Sequence, residues 1–196
     1  NLIGLIGVSR DVTEARSAEA KYRFIFDNAP IGFWEEDFSR VKEYLDALKK
    51  DGIKDFRKFF KENPKEIDRC IDRIEILNVN RATLRMNAVD DKDAFIQRLK
   101  RNFTPESESI YYEELVALAE GKTQFQSEGS FVNEQGDAVN VLFKLNVMPG
   151  REEDLSLVLV SLIDVTESKR MANELSIMRL RYESIVDEQT EMICRT

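Results

Sequence analysis

Asp11-Val12-Thr13-Glu14 returns as Asp164-Val165-Thr166-Glu167, each copy following an apolar run of strand character, Leu2 to Val8 and then Leu155 to Ile163. A polar, helix-favouring stretch comes next in both places, and then an aromatic-led segment. That segment is Tyr22-Arg23-Phe24-Ile25-Phe26 after the first copy and Tyr182-Glu183-Ser184-Ile185-Val186 after the second. A period this long marks tandem domains, since solenoid units run to only about 20–50 residues. One complete unit therefore lies between the copies. The expected organisation is the last strand of a preceding unit at 1–10, a linker helix at 11–21, a domain at 22–167, a linker helix at 168–181 and the start of a following unit at 182–196. The chain reads as an internal piece of a longer protein.

Inside the unit the patterns alternate. Ile31 to Asp37 reads as a strand. Val41, Tyr44, Leu45 and Leu48 keep the spacing of one helical face, and Asp51-Gly52 supplies a stop. Ile53, Phe56, Phe59 and Phe60 suggest a second short helix. Asn63-Pro64-Lys65-Glu66 reads as a helix start, with Asn63 as N-cap and Glu66 capping back, ahead of the stripe Ile67, Cys70, Ile71 and Ile74. Ile74 to Asn80 suggests a second strand, followed by helices at 81–88, 93–101 and from Thr104-Pro105 to Gly121. Three strands close the unit, at 123–132, 138–148 and 155–163, the first two joined by the turn Asn133-Glu134-Gln135-Gly136. The expected fold class is α+β: a five-stranded antiparallel sheet with helices on one face, a helical insert and flanking linker helices.

Composition removes whole classes of chemistry. The chain has no histidine, so neither a Ser-His-Asp nor a Cys-His nucleophile pair can form, and histidine-ligated haem and a histidine phosphoacceptor are excluded. Cys70 and Cys194 are too few for a closed Cys-rich zinc site, and their sparseness favours a reducing, cytoplasmic setting. With 29 Lys and Arg against 37 Asp and Glu, the net charge of −8 speaks against nucleic acid as a partner. No stretch approaches the roughly 18 apolar residues of a membrane span, so no membrane contact is expected in this segment. The segment is expected not to be an enzyme; output chemistry belongs elsewhere in the parent protein.

Four stretches together resemble the PAS superfamily. Phe26-Asp27-Asn28-Ala29-Pro30-Ile31-Gly32 resembles the entry to that family's first strand, and Val79-Asn80-Arg81-Ala82 the end of its second. The closing Asp-Val-Thr-Glu resembles the exit into a signalling helix, and Arg181-Tyr182-Glu183-Ser184-Ile185-Val186-Asp187 resembles the opening of another such unit. The resemblance implies two strands, a helical middle and three antiparallel strands around a small-molecule pocket. One departure is plain. The family joins its first two strands by a tight turn, whereas here residues 38–73 intervene and read as helices that must dock on their own sheet or on a partner chain.

Candidate sites follow from residue type and strand parity. Glu35, Glu36 and Asp37 form an acidic run that suits a metal or an acid/base pair, against a solvated strand end. Successive strand side chains point to opposite faces, so only Glu35 and Asp37 share one. Trp34, the only tryptophan, is a candidate to stack on a flat ligand, against simple packing. On the strand 138–148 the residues Asn140, Leu142 and Lys144 fall on one face, with Val141, Phe143, Leu145 and Val147 on the other. The first set joins Trp34 and Asn80 as candidate ligand-binding residues, against an amphipathic strand and, for Asn80, a turn or cap. No catalytic or metal site is assigned. Cysteinyl-flavin chemistry of the LOV kind needs a cysteine in the helical middle, and residues 81–121 contain none. Haem would need a Met, Cys or Tyr ligand. Non-covalent flavin or a small metabolite stays open, and the cofactor is unassigned.

The linkers carry the last signal. From Asp11 to Tyr22 is 11 positions and from Asp164 to Tyr182 is 18, and 18 − 11 = 7, one heptad. Seven residues at about 100° each bring a helix back to within about 20° of its phase. Met171, Leu175, Met178, Tyr182 and Ile185 step by 4, 3, 4 and 3, a short coiled-coil seam suited to a homodimer. Asp164 and Thr166, with their counterparts Asp11 and Thr13, suit a strand-to-helix corner that relays a signal. The expected function is a sensory module of a sensor histidine kinase, with adjacent units and a downstream output domain as partners in the same chain. The alternatives are a structural dimerisation spacer and the sensor of a diguanylate-cyclase-type enzyme.

Overall fold

A computed structural model describes residues 13–101 and 105–193, with side chains described for 16–99 and 108–182. Helix α1 (Thr13–Asn28) leads into strand β1 (Gly32–Asp37). Three helices follow, α2 (Ser39–Lys50), α3 (Phe56–Glu62) and α4 (Lys65–Ile71), before β2 (Glu75–Val79). The helical middle is α5 (Arg81–Asn87), α6 (Lys92–Arg101) and α7 (Pro105–Ala119). Strands β3 (Gln124–Val132), β4 (Ala138–Val147) and β5 (Val158–Asp164) precede the long helix α8 (Thr166–Ile193). The strands form one antiparallel sheet in the order β2-β1-β5-β4-β3. The α+β class expected from the sequence is the one observed.

Strand parity decides the inside. Trp34, Val160, Leu145 and Phe125 stand across from one another through three registers, as do Gly32, Leu162, Phe143 and Ser127. Those rows face the helices. Gly32 fits closely there, since a Cβ would meet the Thr83 Oγ1 at 3.0 Å near the start of α5. Leu115, Leu145, Val158 and Val160 are all but inaccessible to solvent, each contributing about 2 kcal/mol through burial.

The insert packs on its own domain. Phe38, Val41, Leu45, Phe56, Phe60, Ile67 and Cys70 join the same buried cluster as Leu115 and Val158. Arg57 grips the Glu113 carboxylate on α7 with two bonds of 2.6 and 2.7 Å, and the Tyr112 hydroxyl donates to the Arg57 carbonyl at 2.7 Å.

Two local expectations are corrected. Asn63 does not cap α4; its Nδ2 donates to the Phe59 carbonyl at 2.9 Å and closes α3. Helices α3 and α4 nearly abut, so Asn63 serves an orphan carbonyl, while Pro64 has no N–H to satisfy. Glu66 accepts from the Tyr44 hydroxyl and from Arg69 instead of capping back. The last strand starts at Val158 rather than Leu155. Leu155 takes a left-handed φ of 53°, buries its side chain, and its carbonyl accepts the Phe38 N–H at 2.9 Å.

The expected strand at 1–10 lies outside the described residues, as do Asp11 and Cys194. Thr13 opens α1 as Thr166 opens α8, and each helix continues without a break through its tyrosine, Tyr22 or Tyr182.

Candidate functional site

Between the inner face of the sheet and helices α6 and α7 lies a cavity of about 120 Å³. Trp34 from β1, Phe95 from α6, Phe131 from β3, and Val141 and Phe143 from β4 supply an apolar wall. The Trp34 ring meets Phe95 edge-on at 5.4 Å and Phe143 at 6.3 Å between centroids. Into this wall project three polar side chains, Asn87, Arg98 and Glu114.

Two of the three are satisfied. Asn87 ends α5, donating from Nδ2 to the Thr83 carbonyl at 2.9 Å and accepting the Arg98 Nε–H at 3.0 Å. The Arg98 guanidinium also donates to the Val132 carbonyl, pairs with Glu134 at 3.4 Å and lies over the Phe131 ring. Glu114 is different. It is 1% exposed, and neither carboxyl oxygen has a hydrogen-bond partner among the described residues. Burial, reinforced by the Glu36 carboxyl, pushes its pKa well above the ordinary carboxylate range.

Glu36 is the second buried acid. It shares the inner face of β1 with Trp34, two residues back, and its Oε1 accepts the Trp34 indole N–H at 2.8 Å. Burial raises its pKa to about 7, against the lowering effect of that bond. Burial, with the nearby Glu36 and Glu114 carboxyls adding to it, pushes the Tyr111 phenol above its ordinary value. Tyr111 and Leu99 form a wall shared with a second, outer cleft of about 820 Å³ under α4 and β2, where Glu36 is also found.

Of the residues singled out from sequence, the structure brings only Trp34 to this cavity. Asn140, Leu142 and Lys144 lie on the opposite face of β4, because Val141, Phe143, Leu145 and Val147 take the inside. Asn80 is fully buried and holds backbone. Its Oδ1 accepts from the Phe33 and Thr83 N–H groups, each at 2.9 Å, and its Nδ2 donates to the Phe26 and Ile31 carbonyls, each at 3.0 Å. The acidic run divides as parity requires. Glu35 accepts from the Tyr22 hydroxyl and Asn78, tying α1 to the outer face, and Asp37 caps α2 through the Ser39 N–H at 2.7 Å. Asn87, Arg98, Tyr111 and Glu114 were not foreseen as site residues, and Glu36 was weighed only as part of the acidic run, where parity set it apart from Glu35 and Asp37. Periodicity carried the signal: Glu36 stands two residues from Trp34 on a strand, and Glu114 lies three residues beyond Tyr111 on the helical stripe that includes Leu118.

The cavity is close in size to the roughly 150 Å³ that holds a benzene molecule, too small for a tricyclic flavin, and no cysteine lines it. Cys70 sits fully buried on α4, its thiol pushed up to about 12 by burial.

The exit corner lies where β5 ends beside β4. The Asp164 Oδ1 accepts the Thr166 N–H, the Thr166 Oγ1 accepts the Asn140 N–H, and the Asn140 carbonyl accepts the Val165 N–H, all at 2.8 Å. Lys169 on α8 pairs with Glu128 on β3 at 2.7 Å.

No protein-family model and no curated protein matches the chain. Among solved structures, an RNA-binding light-oxygen-voltage receptor is 14% identical with a TM-score of 0.51, over 93% of this chain and 43% of its own. The LOV protein of Rhodobacter sphaeroides is 15% identical with a TM-score of 0.50, over 78% of this chain and 69% of its own. A PAS domain from Colwellia psychrerythraea is 11% identical with a TM-score of 0.48, over 76% of this chain and 98% of its own. The fold of this chain is the PAS sensory-domain fold. Among the described residues no helix is long and apolar enough to cross a membrane.

Proposed function

We propose that this chain is the sensory module of a multidomain signal-transduction protein, in which occupancy of the interior cavity biases the start of α8. Glu114 carries the reading. A pure spacer has no reason to keep a carboxyl group buried and unpartnered in an aromatic cavity, since native interiors pair their buried polar groups. The path from cavity to helix is short. Val141 lines the cavity, and the backbone of the adjacent Asn140 holds both Val165 and Thr166. A ligand that displaces β4 therefore acts directly on the helix cap. Such a cap is worth about 1 kcal/mol, at the lower end of the 1–3 kcal/mol typical of coupling between sites.

Met171, Leu175, Met178 and Tyr182 are exposed along α8 and keep coiled-coil spacing, which suits pairing with a second copy. The module itself performs no chemistry; the output we assign is a histidine kinase domain beyond α8, with further PAS units as neighbours and the cytoplasm as the setting.

A chimera joining α8 in heptad phase to a histidine kinase catalytic core tests the relay. Val141→Phe fills the cavity and is expected to shift autophosphorylation at least about twofold, the effect of half a kcal/mol of coupling. Replacing Asp164 and Thr166 by Ala is expected to erase that shift without unfolding the domain. Removing seven residues of α8 should be tolerated better than removing three or four. A folded Val141→Phe chimera with unchanged kinase output would refute the proposal.

A further inference from the structure

The ligand of this cavity, we propose, is a small organic cation, an alkylammonium or guanidinium-type ion held by the Glu114 carboxylate against the Trp34, Phe95 and Phe143 rings. The inference rests on the sensory reading and gives it a ligand class.

Three observations converge. Glu114 lines the cavity, and neither of its buried carboxyl oxygens has a hydrogen-bond partner among the described residues. Arg98, the one cationic side chain at the cavity among the described residues, already has its donors aimed at Asn87, Val132 and Glu134. It does not neutralise Glu114. Much of the remaining wall is aromatic, and a cation within about 6 Å of an aromatic face is attracted by the ring's quadrupole, most strongly by Trp. Burial favours the neutral acid at Glu114 in the empty cavity, so a cation binds by displacing that proton to solvent, and the carboxylate then formed beside three rings favours a cation over a neutral molecule of equal size.

The approach has the same bias. The outer cleft shares Tyr111 and Leu99 with the cavity, and its lining holds five acids, Glu36, Asp68, Asp72, Glu75 and Asp93, against three bases, Arg40, Arg73 and Lys92. A negative mouth raises the local concentration of cations. Glu36 stands at its inner end, tethered to the Trp34 indole. A cation passing Tyr111 would therefore move from one carboxylate to the next. Volume limits the choice to a few heavy atoms, about the size of benzene or less.

Calorimetric titration of the folded chain tests this with ethylammonium, tert-butylammonium and guanidinium chlorides. Ethanol, tert-butanol and urea serve as neutral counterparts, and sodium chloride holds ionic strength constant. At least one cation is expected to bind saturably while its neutral counterpart does not. Glu114→Gln is expected to weaken that binding by about tenfold or more, the scale of one buried charge-assisted hydrogen bond. Neutral probes binding as tightly as the cations, unchanged affinity in Glu114→Gln, or no saturable binding by any of the three cations each overturns the proposal. The comparison between cation and neutral probe needs no variant, so it stands even if Glu114→Gln fails to fold. The sensory reading is judged separately, by the Val141→Phe chimera.

Discussion

Glu36→Gln exchanges a buried acid for a neutral group of the same shape whose carbonyl still accepts the Trp34 indole N–H. Burial raises the native pKa of Glu36 to about 7 from an ordinary 4.5, so the native state keeps a proton that the unfolded chain has lost between those values. The native state then binds more protons, and stability falls as pH rises through that window. The gap of about 2.5 units, at about 1.4 kcal/mol per unit, gives roughly 3.5 kcal/mol lost between pH 4.5 and 7 and a plateau above for this group. That is a large share of the 5–15 kcal/mol that holds an ordinary domain. Besides Arg98, held by Asn87 and Glu134, and the charged lining of the outer cleft, three groups face this carboxyl or the cavity behind it. The Trp34 indole lowers the pKa of Glu36, the Tyr111 phenol stays neutral throughout the range, and Glu114 is raised like Glu36 and adds to the same slope. Glu113 and Asp154, whose pKa values are lowered, act with the opposite sign and only at more acid pH. Urea denaturation at pH 5, 6, 7 and 8 reads the effect. The wild type should weaken across the series, and Glu36→Gln should weaken less and exceed it by about 3.5 kcal/mol at pH 8. A wild-type profile that is flat from pH 5 to 8, or a Gln variant with the full slope, would show that burial does not hold Glu36 protonated.

Asn80→Ala removes a side chain that satisfies two N–H groups and two carbonyls around the start of β1 and α5. A loss of about 3 kcal/mol in urea denaturation is expected, from the cap plus the orphaned buried groups; a change below about 1 kcal/mol would mean that water replaces it. Cys70, with its thiol pushed up to about 12, should resist thiol reagents in the native state. In a Cys194→Ser variant, labelling at pH 8 is expected to follow the rate of unfolding, and labelling at the speed of a free thiol would contradict its burial.

Most of the architecture was legible because each element announces its own period. Val41, Leu45 and their neighbours mark α2, and the alternation of β4 marks its length and its two faces, though Asn140, Leu142 and Lys144 were put forward as the cavity side. The apolar set Val141, Phe143, Leu145 and Val147 had to win the interior, since burying Asn140 and Lys144 would have cost unpaired polar groups. The docking of the insert was not legible. Its stripes demanded a partner, and only the tertiary arrangement shows that α7 and the sheet provide it. Asn63 was misassigned because N-caps and C-caps draw on the same residue types, and the choice turns on how closely two helices abut. Glu114 escaped notice for a different reason. Acids on helices are overwhelmingly solvated, and nothing in the local sequence distinguishes this one except its place between Tyr111 and Leu118.

The sheet separates two compartments. The cavity and the insert occupy one side, the Tyr22–Glu35 tether that anchors α1 sits on the other, and the Asp164-Val165-Thr166 clamp closes the end of β5. Chemistry within the chamber and mechanics at its edge and back means that the chamber can be re-tailored to a new molecule without redesigning the drive shaft, and that helices as large as α2 to α4 can be grafted onto the chamber side without jamming it. The sheet serves as a diaphragm, stiff enough to divide the two jobs and thin enough for one strand to feel both.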